Sequence, residues 1–79
     1  MIPSQLQSVL VRTPDTLGGA VRFRDTRIHV KILFDYVLKG GGLDEFLLNY
    51  PDVRREDAQA VLDWERSRLD ESMELELAV

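Results

Sequence analysis

The sequence contains no cysteine and only one histidine, His29, among its 79 residues. Without thiols, the chain cannot form a disulfide scaffold, a thiolate zinc site, an iron–sulfur cluster or a cysteine nucleophile. No second histidine and no close pair of carboxylates accompanies His29 in the sequence. We therefore expect neither a metal site nor a cofactor.

Long apolar runs are missing as well. No stretch approaches the roughly 18 apolar residues that a membrane-spanning helix needs. The first residues lack the basic start, apolar centre and small-residue cleavage site of a signal peptide. The sequence therefore predicts a cytoplasmic protein. With 79 residues, 44% of them hydrophobic and 30% charged, it also predicts one folded domain with a single core.

Motifs of catalysis are equally absent. The glycines at 40–42 follow a predicted helix, and no Lys-Ser or Lys-Thr comes after them, so they do not form a phosphate-binding loop. No serine lies in the context of a nucleophile elbow. We therefore expect that the protein is not an enzyme.

Charge is present but unevenly distributed within the formal net charge of −4. Residues 1–40 carry six Lys or Arg and three acids, a balance of +3, whereas residues 41–79 carry four Arg and eleven acids, a balance of −7. This division indicates one face that can approach phosphate and one that phosphate repels. Accidental segregation of charge in a small domain is the alternative.

Local patterns predict an N-terminal β ribbon over residues 1–29. A short β-branched strand at 8–12 is stopped by Thr13-Pro14, and Gly18-Gly19 allows a tight reversal. The segments 20–23 and 26–28, which flank Arg24-Asp25, then form a hairpin.

Apolar residues next recur at three- and four-residue spacing, which predicts three helices within residues 30–70. The first runs from Val30 to about Lys39 and ends at the three glycines. The second covers about residues 43–50 and stops before Pro51. The third begins near Arg54 or Arg55.

The end of the chain changes period, because Met73, Leu75, Leu77 and Val79 alternate with other residues. This pattern predicts a strand in a C-terminal tail, residues 71–79, that adds to a sheet edge of a partner or of a second copy. A helix with apolar residues scattered around its axis and a frayed, disordered end are the alternatives.

The fold class that these patterns predict is mainly α, a three-helix helix-turn-helix bundle with a small N-terminal β element and the C-terminal strand. Many three-helix bundles without DNA-binding activity share the same spacing. A more specific signal comes from a set of residues distributed between Asp15 and Trp64. They are Leu17-Gly18-Gly19, Arg24, Thr26-Arg27-Ile28, Val30, Gly40, Glu45, Tyr50-Pro51-Asp52, Leu62 and Trp64.

In these residues and their separations the chain resembles the family called domain of unknown function 433. The resemblance implies a homeodomain-like or winged-helix type of domain, and an antitoxin-like partner of small PIN-type nuclease toxins. The sequence departs from the family pattern where Asp25 replaces a glycine, His29 replaces a proline and Ala20-Val21 replace Lys-Pro. Asp25 is tolerable there, because aspartate enters the left-handed region more readily than most residues.

Candidate site residues fall into two groups. Cations on the ribbon and near the start of the last helix are the candidates for DNA contact, together with one amide: Arg22, Arg24, Arg27, Lys31, Arg54, Arg55 and Gln59. Residues near the C-terminus are the candidates for partner contact: Arg66, Arg68, Met73, Leu75, Leu77 and Val79.

Both groups have alternative interpretations. The ribbon arginines would also suit a solvated strand edge, and Arg27 would also suit a structural role beside a carboxylate such as Asp52. Glu56, Asp57 and Asp63 are interleaved with the cations of the last helix and oppose DNA binding.

We therefore expect an antitoxin-like homodimer that binds duplex DNA, regulates its own expression and neutralises a PIN-type toxin through its acidic C-terminal part. The alternative is a homodimeric protein interaction module without DNA-binding activity. The widely apolar first helix and the unpaired strand segments motivate the dimer.

Overall fold

The computed structural model describes residues 2–15 and 17–77, with the side chains of Leu17 and of residues 74–77 left aside. Single turns of 3-10 helix lie at Ser4–Leu6 and Leu17–Gly19. Two short strands, β1 (Leu10–Val11) and β2 (Arg22–Phe23), form an antiparallel sheet. Three helices follow: α1 (Val30–Leu38), α2 (Gly42–Asn49) and α3 (Arg55–Leu77). The expectation of a mainly helical chain with a small β element is therefore confirmed.

The sheet is a minimal ribbon. Leu10 pairs with Phe23, and Val11 pairs with Arg22. Beyond β2 the chain turns at once, so that the Phe23 N–H donates a 3.0 Å hydrogen bond to the Ile28 carbonyl. Asp25, inside this turn, has φ of 64°. The left-handed conformation inferred at this position is thus confirmed, in a residue that adopts it at modest cost.

The ends of the helices follow from glycine and proline. α1 closes with a Schellman arrangement, in which the Gly41 N–H donates to the Tyr36 carbonyl at 3.0 Å and the Gly40 N–H to the Val37 carbonyl at 3.3 Å. Gly40 has φ of 89°, a value that a side chain would make costly. α2 ends at Asn49, one residue before Tyr50-Pro51. The boundaries predicted for both helices are confirmed to within about a residue.

The core joins the ribbon to the helices through aromatic rings. Phe23, Leu33 and Phe46 are completely buried. The Phe46 ring lies 5.9 Å from Phe23, 5.8 Å from Tyr36 and 5.3 Å from Tyr50, measured between centroids. The other buried apolar residues come from every part of the fold: Leu6, Val9, Leu10, Val53, Ala58 and Val61.

The strand predicted from Met73 to Val79 is wrong as far as Leu77, because α3 continues without a break to that residue. Residues 78 and 79 lie outside the described part. The alternation of apolar residues misled the prediction, since Met, Glu and Leu are strong helix formers and no β-branched residue occurs between Met73 and Leu77. Each residue added to an existing helix also gains a hydrogen bond without the cost of a new nucleus.

The second part of α3 leaves the body of the protein. Ala58, Val61, Leu62 and Trp64 pack on the core, whereas every side chain described from residue 66 onward is exposed. We call residues 66–77 the projecting half of α3. Within the described residues, none of the helices combines the length and apolar character needed to cross a membrane.

Candidate functional site

Three of the predicted DNA-contacting arginines line one cleft beside the ribbon. This ribbon cleft has a volume of about 600 Å³. Its walls are Val11, Arg22, Arg24, Asp25, Thr26, Arg27, Ile28 and Asp52. Three guanidinium groups against two carboxylates leave the cleft with a positive charge, which favours an anionic ligand.

Arg22 is the member of this cleft with the most unusual surroundings. Its Nη2 lies 3.5 Å from the Thr13 hydroxyl. Its Nε and Nη1 are buried and have no hydrogen-bond partner among the residues described. Buried N–H groups without an acceptor carry a desolvation cost. Because both nitrogens have almost no accessible surface, a ligand in the cleft reaches them only after the Arg22 side chain moves.

Arg24 also lines the cleft, but its guanidinium turns back onto the main chain. Its Nη2 donates to the Gln7 carbonyl at 2.6 Å and approaches the Leu10 carbonyl at 3.5 Å. Arg12, which the sequence pattern did not single out, makes a similar bond to the Gly19 carbonyl at 2.6 Å. Arg24 therefore fastens the N-terminal segment to the ribbon, whereas Arg12 closes the loop between β1 and β2.

Within the Thr-Arg-Ile motif, Thr26 and Arg27 have different roles. The Thr26 hydroxyl donates to the Phe23 carbonyl at 2.8 Å and accepts from the Ile28 N–H at 3.1 Å. Thr26 thus holds the turn, while the Arg27 side chain stays exposed at the cleft. Arg27 and Asp52 share the cleft without an ion pair within 4.0 Å in the part of the chain that the structure describes.

The candidates at the start of α3 are each bound to a carboxylate. Arg54 Nε lies 3.3 Å from Asp57 Oδ2, and Arg55 Nη2 lies 2.5 Å from Asp44 Oδ1. The Gln59 amide donates to Asp63 Oδ1 at 3.0 Å. The Arg55–Asp44 pair is exposed on both sides and is therefore weak and exchangeable, whereas Asp57 is only 12% exposed in its pair with Arg54. Their carboxylates nevertheless reduce the positive charge that DNA would meet.

The projecting half of α3 carries the candidates for partner contact. Leu69 and Met73 are 60% and 55% exposed, and Arg66 is also exposed. The Arg68 guanidinium lies over the Trp64 ring at 5.2 Å and its Nε lies 3.7 Å from Glu65. Leu75 and Leu77 belong to α3 with undescribed side chains, and Val79 lies outside the described residues.

A second cleft, of about 580 Å³, was not foreseen from the sequence. It lies between the N-terminal turn, the ribbon, α1 and α3 and is lined mainly by apolar residues, among them Ile2, Leu6, Val30, Phe34 and Trp64. Four separate segments supply its walls, so no local pattern in the sequence announces it.

Comparison with known proteins agrees with this architecture. Residues 10–64 match the family described as "Protein of unknown function (DUF433)". The chain belongs to the DUF433 family. It is also similar to the crystal structure of a DUF433 member protein from Anabaena variabilis ATCC 29413, with 30% identity and a TM-score of 0.66 over 99% of this chain and 87% of that chain. No curated protein matches it.

The DUF433 match divides the candidate residues into two sets. The ribbon cleft and the start of α3 lie within residues 10–64, whereas the projecting half follows that segment. The ribbon cleft therefore lies in the part of the chain that matches the family model, and the projecting half of α3 follows that part.

Proposed function

We propose that this DUF433 protein is an antitoxin-like DNA-binding autoregulator that neutralises a PIN-type toxin through its acidic C-terminal part and acts as a homodimer. The sequence resemblance described above motivates the antitoxin class. The single observation that supports the proposal is the separation of two surfaces, the cationic ribbon cleft at the body and the exposed projecting half of α3. Such a molecule can hold an anionic and a protein ligand at the same time.

The DNA surface in this proposal is centred on the ribbon cleft. Arg22 and the exposed Arg27 line this cleft, and the exposed Lys31 adds positive charge close in sequence. Phosphate contacts of this kind position a protein on duplex DNA without reading its sequence. The segment from α2 to α3 would act as the helix-turn-helix, with Tyr50 and the following residues forming its turn.

Carboxylates near the start of α3 limit the contribution of that helix to DNA binding in this proposal. Arg54 and Arg55 must leave Asp57 and Asp44 before they can bind phosphate. Asp63 likewise occupies the Gln59 amide. We therefore propose that the ribbon supplies most of the affinity and that α3 contributes base contacts only where these pairs open.

The test of DNA binding is fluorescence anisotropy with the upstream duplex of the gene and a scrambled duplex, at several salt concentrations. Preferential binding that weakens with salt is the expected result. Replacing Arg22 and Arg27 together by alanine should reduce the slope of log affinity against log salt by about 0.9 for each phosphate that the variant no longer neutralises. The matched control is Lys39→Ala, an exposed cation at the opposite end of α1.

Absence of binding at low salt would refute this part of the proposal. It would favour the second candidate function, a homodimeric protein interaction module without DNA-binding activity. The observation behind that candidate is the neutralisation of Arg54 and Arg55 by carboxylates, in a chain whose net charge is −4.

The toxin surface is tested by truncation after Met73, which removes the end of the projecting half. In cells that express the proposed PIN-type nuclease, we expect the full chain to restore growth and the truncated chain to fail. The free energy of unfolding of the body should change by less than about 0.5 kcal/mol, because α3 has left the core before this point and the side chains described from residue 66 onward are exposed. Equal growth with the full and the truncated chain would mean that the toxin contact lies outside the removed residues.

A further inference from the structure

The projecting half of α3 displays an apolar stripe that the body does not cover. Leu69 and Met73, four residues apart, lie on one side of the helix. Leu62, seven residues before Leu69, continues the stripe to the edge of the core, where it is half-buried. Leu69 and Met73 remain more than half exposed, and together with Leu62 they form an apolar patch on one side of the helix that is available for contact.

Charge along this stripe indicates what covers it. Arg66 and Asp70 are four residues apart and flank the stripe on the same side. On this side of the stripe, positive charge therefore precedes Leu69 and negative charge follows it. When a second copy runs in the opposite direction, this side faces the same side of the second copy, and Arg66 of each copy meets Asp70 of the other. A parallel copy would instead set Arg66 against Glu65, whose carboxylate already pairs with Arg68. We infer that residues 62–73 of α3 pair antiparallel with the same residues of a second copy of this chain.

The register of this pair follows from the positions of the apolar residues. With a two-fold axis near residue 68, Leu69 meets Leu69 of the second copy and Met73 meets its Leu62. In the same register, Arg66 lies opposite Asp70 of the second copy, and symmetry repeats that ion pair. One alignment thus satisfies both the apolar stripe and the charges.

The contact covers about three helical turns. Its area falls in the class of small interfaces, which form reversibly, so we expect dissociation in the micromolar range. The inference rests on the proposed function in two respects, the homodimer and the use of the projecting half of α3 as a contact surface. It is tested without DNA or toxin, so that failure of either activity would leave the result unchanged.

Sedimentation equilibrium over the micromolar range tests the surface. The full chain should show a monomer–dimer equilibrium, and Leu69→Glu should remove the dimer by placing two carboxylates at the two-fold axis. The matched control is Leu48→Glu, which adds the same charge on α2 at a leucine that is 80% exposed. That variant should dimerise like the unaltered chain. Circular dichroism verifies that both variants keep their helical content.

Charge exchange tests whether Arg66 and Asp70 face each other across the pair. Arg66→Asp and Asp70→Arg should each weaken the homodimer by about tenfold, because each sets like charges opposite one another. An equal mixture of the two variants should recover the affinity, since the mixed dimer restores two ion pairs between opposite charges. Each variant retains its altered interactions within its own helix in the mixture, so recovery reports only the pairing between chains.

Three results would overturn the inference. A monomer throughout the micromolar range would mean that a second copy of this chain does not cover the apolar stripe. Loss of the dimer in Leu48→Glu rather than in Leu69→Glu would place the interface on α2. A mixture of the charge variants that stays as weak as its components would exclude the antiparallel register.

Discussion

Replacement of Phe46 by alanine is expected to lower the free energy of unfolding by about 3–5 kcal/mol. The ring is completely buried at the junction of α2 with the ribbon and α1. It contacts the rings of Phe23, Tyr36 and Tyr50, and its removal would leave a cavity that three stiff aromatic neighbours cannot fill. Because domains of this size are stable by only about 5–15 kcal/mol, the variant should approach the unfolded state.

Urea unfolding monitored by circular dichroism measures this difference. The matched control is Leu48→Ala, two residues further along α2 and 80% exposed, which should change the free energy of unfolding by less than about 0.5 kcal/mol. Equal losses of stability in the two variants would mean that α2 does not present Phe46 to the core.

Replacement of Arg24 by alanine is expected to cost about 1–2 kcal/mol, a large effect for a residue at the surface. The reason is its charge-assisted bond of 2.6 Å to the Gln7 carbonyl, across 17 residues of sequence. Without this bond the N-terminal turn, whose Leu6 is buried in the core, should be released. Thermal or urea unfolding of the variant gives the value directly.

Arg27→Ala provides the comparison, because Arg27 lines the same cleft with an exposed side chain. This variant should retain its stability to within about 0.5 kcal/mol and lose affinity for DNA. If Arg24→Ala instead kept full stability and lost only DNA affinity, the bond to Gln7 would be incidental and Arg24 would be a phosphate ligand. The pair of variants therefore separates a structural arginine from a binding arginine within one cleft.

The helical part of the fold was accessible from the sequence because its signals are local. Three- and four-residue spacing identified α1 and α2, and Gly40 and Pro51 marked their ends. The left-handed conformation of Asp25 was inferred by comparison with a family pattern that has glycine there. In each case the deciding interaction lies within a few residues of the chain.

The end of α3 shows where a local rule fails. Alternation over Met73–Leu77 is a strand signal only if another strand is available to pair with it. In the described part of the chain, the strands are the two-residue β1 and β2, which already pair with each other. Helix propensity and continuity with the preceding turns therefore decide the conformation.

The site was predictable as a set of residues but not as a set of contacts. The sequence pattern assigned Arg22, Arg24, Arg27 and Lys31 to one cluster. The three arginines line one cleft, whereas Lys31 lies on α1 and is not part of its lining. The sequence pattern could not identify the partner of Arg55, because Asp44 is eleven residues away on another helix. Nor could it separate the buried nitrogens of Arg22 from the backbone bonds of Arg24, since both depend on how the ribbon packs.

Because α3 is continuous, its projecting half and the half that packs on the core belong to one uninterrupted helix. No glycine or proline interrupts the helix between Arg55 and Leu77, so it has no hinge at the point where it leaves the core. A rotation imposed on Leu69 or Met73 is therefore transmitted along the helix axis to Val61 and Ala58, which are buried in the core. A partner bound to the projecting half of α3 therefore fixes the orientation of the body relative to that partner. It also fixes the direction in which the arginines of the ribbon cleft face.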